Sequence, residues 1–272
     1  MEIIIKPKKG LSGLDFKELW HYKELFYFLS WKEVKLRYKQ TMFGILWAVM
    51  QPFFTMVVFT IIFGRLAKIP SDSIPYPIFV YAGLLLWNIF SAALNSASQS
   101  LVTNANIIQK IYFPKIILLV SSIIVSLIDF IFAALIFAAI MIYYKFMPHF
   151  AGLLIFPLSL LITITSSLGI GLFLSAFNVK YRDVRYILPF FLQLLIFITP
   201  VIYPSSIVPQ AYRWILALNP MTGAIESFRN SFFGTVPVDW PMMMISAVVS
   251  IIFLIFGLLY FLKTEKNFAD II

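Results

Sequence analysis

Six long apolar runs dominate the 272-residue chain. An α-helix needs about 20 apolar residues to cross a hydrocarbon core of about 30 Å, and most of the runs reach this length. Because open sheet edges cannot satisfy their hydrogen bonds in lipid, all six are expected to be helices. The pattern predicts an all-α integral membrane fold with six transmembrane helices, the fifth being the shortest. The predicted spans lie near residues 42–63, 78–101, 116–144, 153–177, 187–203 and 242–262.

The segment before the first run, residues 15–29, has apolar residues at helical spacing with charged residues between them. This pattern is typical of a helix that lies in the membrane interface. Ser30 and Glu33 then match a capping box, which predicts that a new helix starts there and leads into the first span. The apolar positions of the first segment are Leu19, Tyr22, Phe26 and Leu29.

The connection between the fifth and sixth runs, residues 204–240, is long and rich in Pro and aromatic residues. Within it Asn219 suits a helix cap, Pro220 suits a first turn, and Gly234 suits a helix end. We expect short external helices here, which re-enter part of the bilayer or lie on it. Four apolar residues share one face of this segment: Met221, Ile225, Phe228 and Phe232.

Composition and charge agree with a membrane protein. Hydrophobic residues make up 61% of the chain and charged residues 12%, whereas soluble domains have about half and a quarter. Sixteen of the 21 Lys and Arg residues fall on the side of the predicted spans that holds both termini, so that side is expected to be cytoplasmic. The net charge of +9 is therefore assigned to the membrane surface, and no nucleic-acid partner is expected.

The sequence lacks the motifs of common enzymes. It has no Cys, no phosphate-binding GxxxxGK[ST] loop, no HExxH and no nucleophile elbow. Its two histidines, His21 and His149, are far apart in the sequence, so no His-based metal site is expected. The chain is not expected to be an enzyme, and any uphill transport would take its energy from another chain or from an ion gradient.

Asp129 is the only acid well inside a predicted span, where a charge costs about 3 kcal/mol. Two interpretations are open: a proton relay, or a neutral or hydrogen-bonded carboxyl that packs helices together. No basic partner is apparent at that depth. In the fourth span, Ser167, Gly171 and Ser175 recur every four residues, which favours close helix packing within the subunit over a dimer face.

Aromatic residues with amides beside them form a stripe on the first run and another on the fifth. A ring can stack on the apolar C–H face of a sugar while amides bond its hydroxyls, so these stripes suit a hydroxyl-rich ligand. Packing of the bundle, or contact with lipid, is the alternative. We define the aromatic stripes as Phe43, Trp47, Gln51 and Phe54 in the first run and Tyr186, Phe190, Gln193 and Phe197 in the fifth.

Residues 36–64, LRYKQTMFGILWAVMQPFFTMVVFTIIFG, resemble the first-span signature of the ABC-2 type permeases. The resemblance is closest to the polysaccharide exporters of that family, which carry O antigen, capsule or teichoic acid. Further matches follow in order, so the resemblance covers almost the whole chain. They are IIQKIYFPK (107–115), FNVKYRDVRYILP (177–189), FITPVIYP (197–204) and NPMTGAIESFRNSFFG (219–234).

The resemblance implies a single transmembrane domain over residues 1–272, with a cytoplasmic interfacial segment (1–40), six spans (42–262) and a cytoplasmic tail (263–272). It implies a homodimer in the bacterial inner membrane, joined to two copies of a cytoplasmic subunit that binds ATP and Mg, so that this chain itself holds no cofactor. The implied cargo is an undecaprenyl-diphosphate-linked polysaccharide, threaded through a channel between the two permeases.

The resemblance also implies roles for particular residues. A coupling helix that docks on the ATPase falls on Asn104, Asn106, Gln109 and Lys110. The first and fifth spans line the channel, which favours the aromatic stripes as a sugar path, and the helix with Met221, Ile225, Phe228 and Phe232 forms an external gate.

Two features of the first span keep two interpretations each. Lys35, Arg37 and Lys39 lie at the cytoplasmic mouth, where they either attract the lipid-linked diphosphate or only fix orientation. Gln51-Pro52 would bend or loosen the helix beside a channel, or form a simple structural kink. The alternative functions are a proton-coupled carrier that uses Asp129, an ABC-2 exporter with another lipid or small-molecule cargo, and a membrane-embedded transferase.

Overall fold

The computed structural model describes residues 16–39, 44–265 and 268, and all regular elements within these residues are helical. The third helix continues into a π-helical segment, Thr60–Leu66, and short 3-10 turns precede the ninth helix. The α-helices are α1 (Phe16–His21), α2 (Lys23–Lys39), α3 (Ile45–Phe59), α4 (Tyr76–Thr103), α5 (Ala105–Ile108), α6 (Ile116–Tyr143), α7 (Phe150–Lys180), α8 (Val184–Ile198), α9 (Arg213–Ala217), α10 (Pro220–Phe233) and α11 (Trp240–Glu265).

Five helical stretches of the described chain are long and apolar enough to cross a membrane. They are α3 with its π-helical extension, α4, α6, α7 and α11, and they match five of the six predicted runs. The fifth run corresponds to α8, whose 15 residues span about 22 Å, less than the hydrocarbon core of about 30 Å. The prediction of helix through residue 203 is wrong, because Thr199 is extended, as residues before a proline tend to be, and Pro200 follows it.

The amphipathic pattern of residues 15–29 continues into α2. Leu29 is buried, and Phe26 is partly buried against the part of the core that lies next to α5. The capping box predicted at Ser30 and Glu33 is wrong, because α2 runs without interruption through both residues. The Ser30 hydroxyl instead donates to the carbonyl of Phe26 at 2.8 Å, a bond that a serine makes inside a helix.

The central helix is α4, which is buried over most of its length and packs against α3, α6, α7, α8 and α10. Small residues allow α7 to approach both α4 and α11. A side chain at Gly257 of α11 would overlap the carbonyl of Gly169, and Gly171 faces Ala97 of α4. Ser167 and Ser175 are fully buried beside Gly171. The structure therefore confirms that this small-residue face packs within one chain.

Helix α10 forms where the local signals predict it. The Asn219 side chain accepts a hydrogen bond from the Met221 N–H at 3.1 Å, Pro220 occupies the first turn, and Gly234 ends the helix with φ +67°. The helix is buried among α4, α7 and α11 rather than lying on the outside of the bundle. The expectation that this segment re-enters part of the bilayer or lies on it stays a prediction.

Candidate functional site

The aromatic stripes lie on α3 and α8, and both face away from the core. Each helix packs against α4 through its other face, with α3 also on α6 and α8 also on α7. Trp47 is 57% exposed and Phe190 is 63% exposed. Phe43 lies outside the described residues. The remaining stripe residues are also exposed: Gln51, Phe54, Tyr186, Gln193 and Phe197.

Behind the stripe of α8 is an apolar cavity of about 490 Å³ between this helix and α4, α7 and α11. Leu188 and Leu192 of α8 line one wall, and Phe173 and Phe253 line the opposite wall. Aliphatic and aromatic side chains of this kind offer nothing to the hydroxyls of a sugar. The face of α8 that can meet a glycan is therefore the outer one, with its Tyr and Gln.

Asp129 has partners that its position in the sequence did not indicate. Arg37 of α2 forms an ion pair with it, with Nη2 2.5 Å from Oδ2, and the Tyr38 hydroxyl donates a hydrogen bond to Oδ1. The prediction that no basic partner lies at this depth is wrong, because α2 packs along α6 and brings its last turn to the carboxyl. Asp129 thus joins two helices through an ion pair and a hydrogen bond.

A polar groove opens between α2 and α3 on one side and α4 and α6 on the other. It consists of two adjoining cavities of about 420 and 310 Å³, which share Arg37, Asn95 and Ser96. Hydroxyl, amide and charged side chains dominate its lining. We define the polar groove by Glu33, Arg37, Gln51, Asn88, Ser91, Asn95, Ser96, Gln99, Ser100, Thr103, Asn104, Ser122, Ser126 and Asp129.

The Gln51-Pro52 pair lies at the inner end of this groove. Helix α3 continues through Pro52, so the proline does not end it, and the hydrogen-bond pattern changes only at Thr60. Because proline has no N–H, the carbonyl of Ala48 loses its usual helical partner. Ala48 lines the groove beside Gln51 and Pro52, where a polar cavity can satisfy that carbonyl.

The coupling segment predicted between the second and third spans contains α5. Asn106, Gln109 and Lys110 are exposed and accessible to a partner. Asn104 is buried instead, because its amide donates to the Ser100 carbonyl at 2.9 Å and accepts from Lys32 Nζ at 2.9 Å. Asn104 therefore attaches α5 to α2, which also carries the partners of Asp129.

The predicted mouth and gate residues differ in exposure. Lys35, Arg37 and Lys39 are all exposed on α2, and the Arg37 guanidinium also pairs with Asp129. Of the gate set, Met221, Ile225 and Phe228 are buried, and Phe232 is partly buried. The ring of Phe228 lies 5.1 Å from that of Phe156 and 5.0 Å from that of Phe232, so these residues form part of the core.

A buried ion pair on α10 escaped the sequence analysis. Arg229 and Glu226 are 1% and 4% exposed, with 3.5 Å between Nη1 and Oε1. The guanidinium donates to the carbonyls of Pro200 (2.6 Å) and Val201, and its carbon lies 3.8 Å from the Phe79 ring centroid. The Ser205 hydroxyl donates to Glu226 at 2.7 Å. The sequence feature that could have indicated this pair is an acid and a base three residues apart on a helix with an apolar face.

No three His, Cys, Asp or Glu side chains lie close enough together to hold a metal ion within residues 16–39, 44–265 and 268. Two of the acids described above are engaged by donors of this chain. Glu226 accepts from Ser205 and Arg229, and Asp129 accepts from Arg37 and Tyr38. These contacts join α6 to α2 and α10 to the segment after α8.

Comparison with known proteins gives a consistent result. The family model described as ABC-2 type transporter matches residues 24–233. The O-antigen export system permease protein RfbA of Myxococcus xanthus is 29% identical over 257 residues, 93% of this chain and 97% of that protein. An RfbA of Klebsiella pneumoniae is 27% identical over 241 residues, covering 89% of this chain and 92% of the relative. The polysialic acid transport protein KpsM of Escherichia coli is 27% identical over 214 residues, 74% of this chain and 78% of KpsM.

Proposed function

The chain belongs to the ABC-2 type transporter family, and we propose that it is the membrane subunit of an ATP-driven exporter of lipid-linked polysaccharide. The observation that carries the proposal is the likeness over nearly full length to O-antigen export permeases, together with two exposed stripes of aromatic and amide side chains. An exporter of another lipid or a small molecule is the second candidate, and it would leave the aromatic stripes without a glycan to stack.

The working assembly has two copies of this chain and two copies of a cytoplasmic ATP-binding subunit. The stripes on α3 and α8 support a second copy, because each is exposed on a single chain and a facing copy would turn them into channel walls. ATP and Mg belong to the partner subunit. The cargo is an undecaprenyl-diphosphate-linked polysaccharide, whose sugars pass along the stripes.

The chain crosses the bacterial inner membrane six times, with both termini in the cytoplasm. Helix α8 and the extended residues after it make the fifth crossing together, since α8 alone covers only about 22 Å. Helix α1 and the first part of α2 lie in the cytoplasmic interface, whereas the last turn of α2 extends along α6 to Asp129. Their exposed aromatic side chains, enriched at such interfaces in membrane proteins, are Trp20, Tyr27, Phe28 and Trp31.

Closure of the ATP-binding subunits acts on α5 through Asn106, Gln109 and Lys110. The hydrogen bond between Lys32 and Asn104 passes this movement to α2, and Arg37 and Tyr38 pass it from α2 to Asp129 in α6. Lys35 and Lys39 attract the diphosphate to the cytoplasmic mouth. Helix α10, attached to the end of α8 by Arg229, controls the external exit.

Affinity purification of the chain in mild detergent, with an assay of ATP hydrolysis, tests this assembly. We expect a stoichiometric ATP-binding subunit and hydrolysis that vanadate inhibits. A lone chain without hydrolysis, which still transports in proteoliposomes under a pH gradient, would contradict the proposal and favour a carrier that uses Asp129.

Alanine variants test the sugar path. We expect Trp47→Ala and Phe190→Ala to reduce surface polysaccharide, because each removes a stacking ring, while the ATPase subunit still co-purifies. Tyr143→Ala is the matched control, since Tyr143 is an exposed aromatic residue at the end of α6, away from both stripes. Normal surface polysaccharide in both stripe variants would exclude stacking on these rings.

A further inference from the structure

We propose that the polar groove is a second carbohydrate site, which holds several uncharged sugar units before they reach the aromatic stripes. The inference rests on the proposed function, since it names a further part of the path for the same cargo. It concerns the space between α2, α3, α4 and α6, whereas the stripes are on the outer faces of α3 and α8.

Two buried acceptors in the groove point to a ligand. Ser126 is fully buried, and its Oγ has no hydrogen-bond partner among the described residues; the same holds for Oδ1 of Asn95. Buried polar atoms are nearly always paired, and leaving one unpaired costs about 1–3 kcal/mol. The amide nitrogen of Asn95 already donates to the Ser91 carbonyl at 3.0 Å, so its oxygen is the atom left to accept, and Asn95 lines both cavities of the groove.

The rest of the lining also offers acceptors. The hydroxyls of Ser100 and Ser122 donate to backbone carbonyls at 2.8 Å, which uses their protons and leaves their oxygen lone pairs. Pro52 has no N–H to donate to the carbonyl of Ala48, so this carbonyl is another acceptor at the inner end of the groove. A ligand with many O–H donors matches this set, and a sugar is such a ligand.

The charges in the groove select an uncharged ligand. Arg37 is paired with Asp129, and Glu33 adds a second carboxylate to the lining. A phosphate, or a sugar acid, would meet two carboxylates, while the two nearest cations are already engaged, Arg37 by Asp129 and Lys32 by Asn104. Neutral sugar units avoid this repulsion, so the diphosphate end of the cargo is expected outside the groove, near Lys35 and Lys39.

The size and course of the groove fit a short stretch of glycan. Each of its two cavities falls within the range of about 300–1,000 Å³ that is typical of small-molecule sites. Along α4 and its C-terminal cap the lining extends from Asn88 to Asn104, about 24 Å at 1.5 Å per residue. One end is at the start of α5, and the other contains Gln51, which also belongs to the stripe on α3. The groove therefore leads from the coupling segment to the sugar path.

Ser126→Ala tests the site without removing any bond that the folded chain makes. With the complex of this chain and its ATPase subunit, we expect a threefold to tenfold loss of affinity for the delipidated surface polysaccharide of the producing bacterium, the value of one hydrogen bond. The melting temperature should stay the same or rise. Ser159→Ala is the matched control, because Ser159 is equally buried and unpartnered but lies on α7, outside the groove. Equal affinities for wild type and Ser126→Ala would overturn the inference and assign the groove to water.

A photo-reactive residue at Gln99, on the exposed edge of the groove, gives an independent test. In cells that make the polysaccharide we expect a glycan adduct at Gln99 and none at Leu135, an exposed position on α6 outside the groove. Absence of the adduct at Gln99 would overturn the inference. The same probe at Trp47 then separates the two proposals: a glycan adduct there leaves the proposed function intact, and no adduct at either position counts against both.

Discussion

The Asp129 carboxyl attaches α2 to α6 through its contacts with Arg37 and Tyr38. We predict that Arg37→Gln lowers the free energy of unfolding by about 1.5 kcal/mol, the lower end for a hydrogen bond to a charged group, because the guanidinium is 43% exposed. A double-mutant cycle with Asp129→Asn, followed by thermal unfolding in detergent, measures the coupling. Additive effects of the two substitutions would mean that the pair contributes nothing to stability.

The same residue separates the exporter from a proton-coupled carrier. We predict that Asp129→Asn retains ATP-dependent export, because the asparagine amide can still accept from the Tyr38 hydroxyl that now binds the carboxylate. Export is measured as surface polysaccharide. The Arg37→Gln variant is the control, because it removes the same ion pair and keeps the Asp129 carboxyl. Complete loss of export in Asp129→Asn, with normal amounts of assembled complex, would favour a protonation step.

At Arg229 we predict a larger effect on stability. Arg229→Met leaves Glu226 buried beside Ser205 alone and frees the carbonyls of Pro200 and Val201, and losing one partner of a buried pair costs about 3–5 kcal/mol. Glu226→Gln should cost less, since the amide oxygen can still accept from Ser205 and the guanidinium keeps its carbonyl partners. Thermal unfolding in detergent measures whether Arg229→Met destabilises the protein more than Glu226→Gln does. Equal melting temperatures for Arg229→Met and the wild type would contradict the prediction.

These residue pairs mark a limit of sequence analysis. Tyr38 and Asp129 are 91 residues apart, and nothing local in either segment indicates that α2 packs along α6. Arg229 and Glu226 are visible as a pair in the sequence, but the carbonyls that bind the guanidinium come from the segment after α8, 28 and 29 residues earlier. A side chain's neighbours depend on which helices touch, and the sequence alone did not reveal those contacts.

At the level of elements, local signals decided which helix ends could be predicted. Helix α10 was predicted with both ends correct, because Asn219, Pro220 and Gly234 act on their own backbone. Thr199-Pro200 marks the early end of α8, but the apolar run continues past it, so hydropathy alone predicts a helix that is too long. The capping box at Ser30 failed because the pattern is also compatible with the interior of a helix.

The α5 segment carries a prediction of its own. We expect Lys110→Glu to weaken association with the ATPase subunit and to reduce export, because Lys110 is exposed next to α5 and the change reverses its charge. Thermal stability should not change. Lys145→Glu is the matched control, as an exposed lysine that follows α6 at the opposite end of the bundle. Unchanged association and export in Lys110→Glu would remove this residue from the docking surface.

For the molecule as a whole, hydropathy predicted the class and five of the spans because lipid requires long apolar helices in the sequence. It could not show which exposed apolar face meets a second copy. Faces that contact lipid and faces that contact another helix are both apolar in a membrane, so the pattern does not distinguish them. Exposed apolar side chains accordingly occur on α3, α6, α8 and α11 alike.

The absence of cysteine from the sequence allows a direct test of the dimer. We predict that Trp47→Cys in one copy and Phe190→Cys in the other form a disulfide on oxidation, because both stripes would line one channel between the copies. A disulfide requires Cα atoms about 4.4–6.8 Å apart, so the bond reports a close approach of α3 and α8. Leu135→Cys, exposed on α6, is the control and should stay monomeric. Cross-linking through Leu135, with none through the stripes, would place the second copy on α6 and leave the aromatic stripes to lipid.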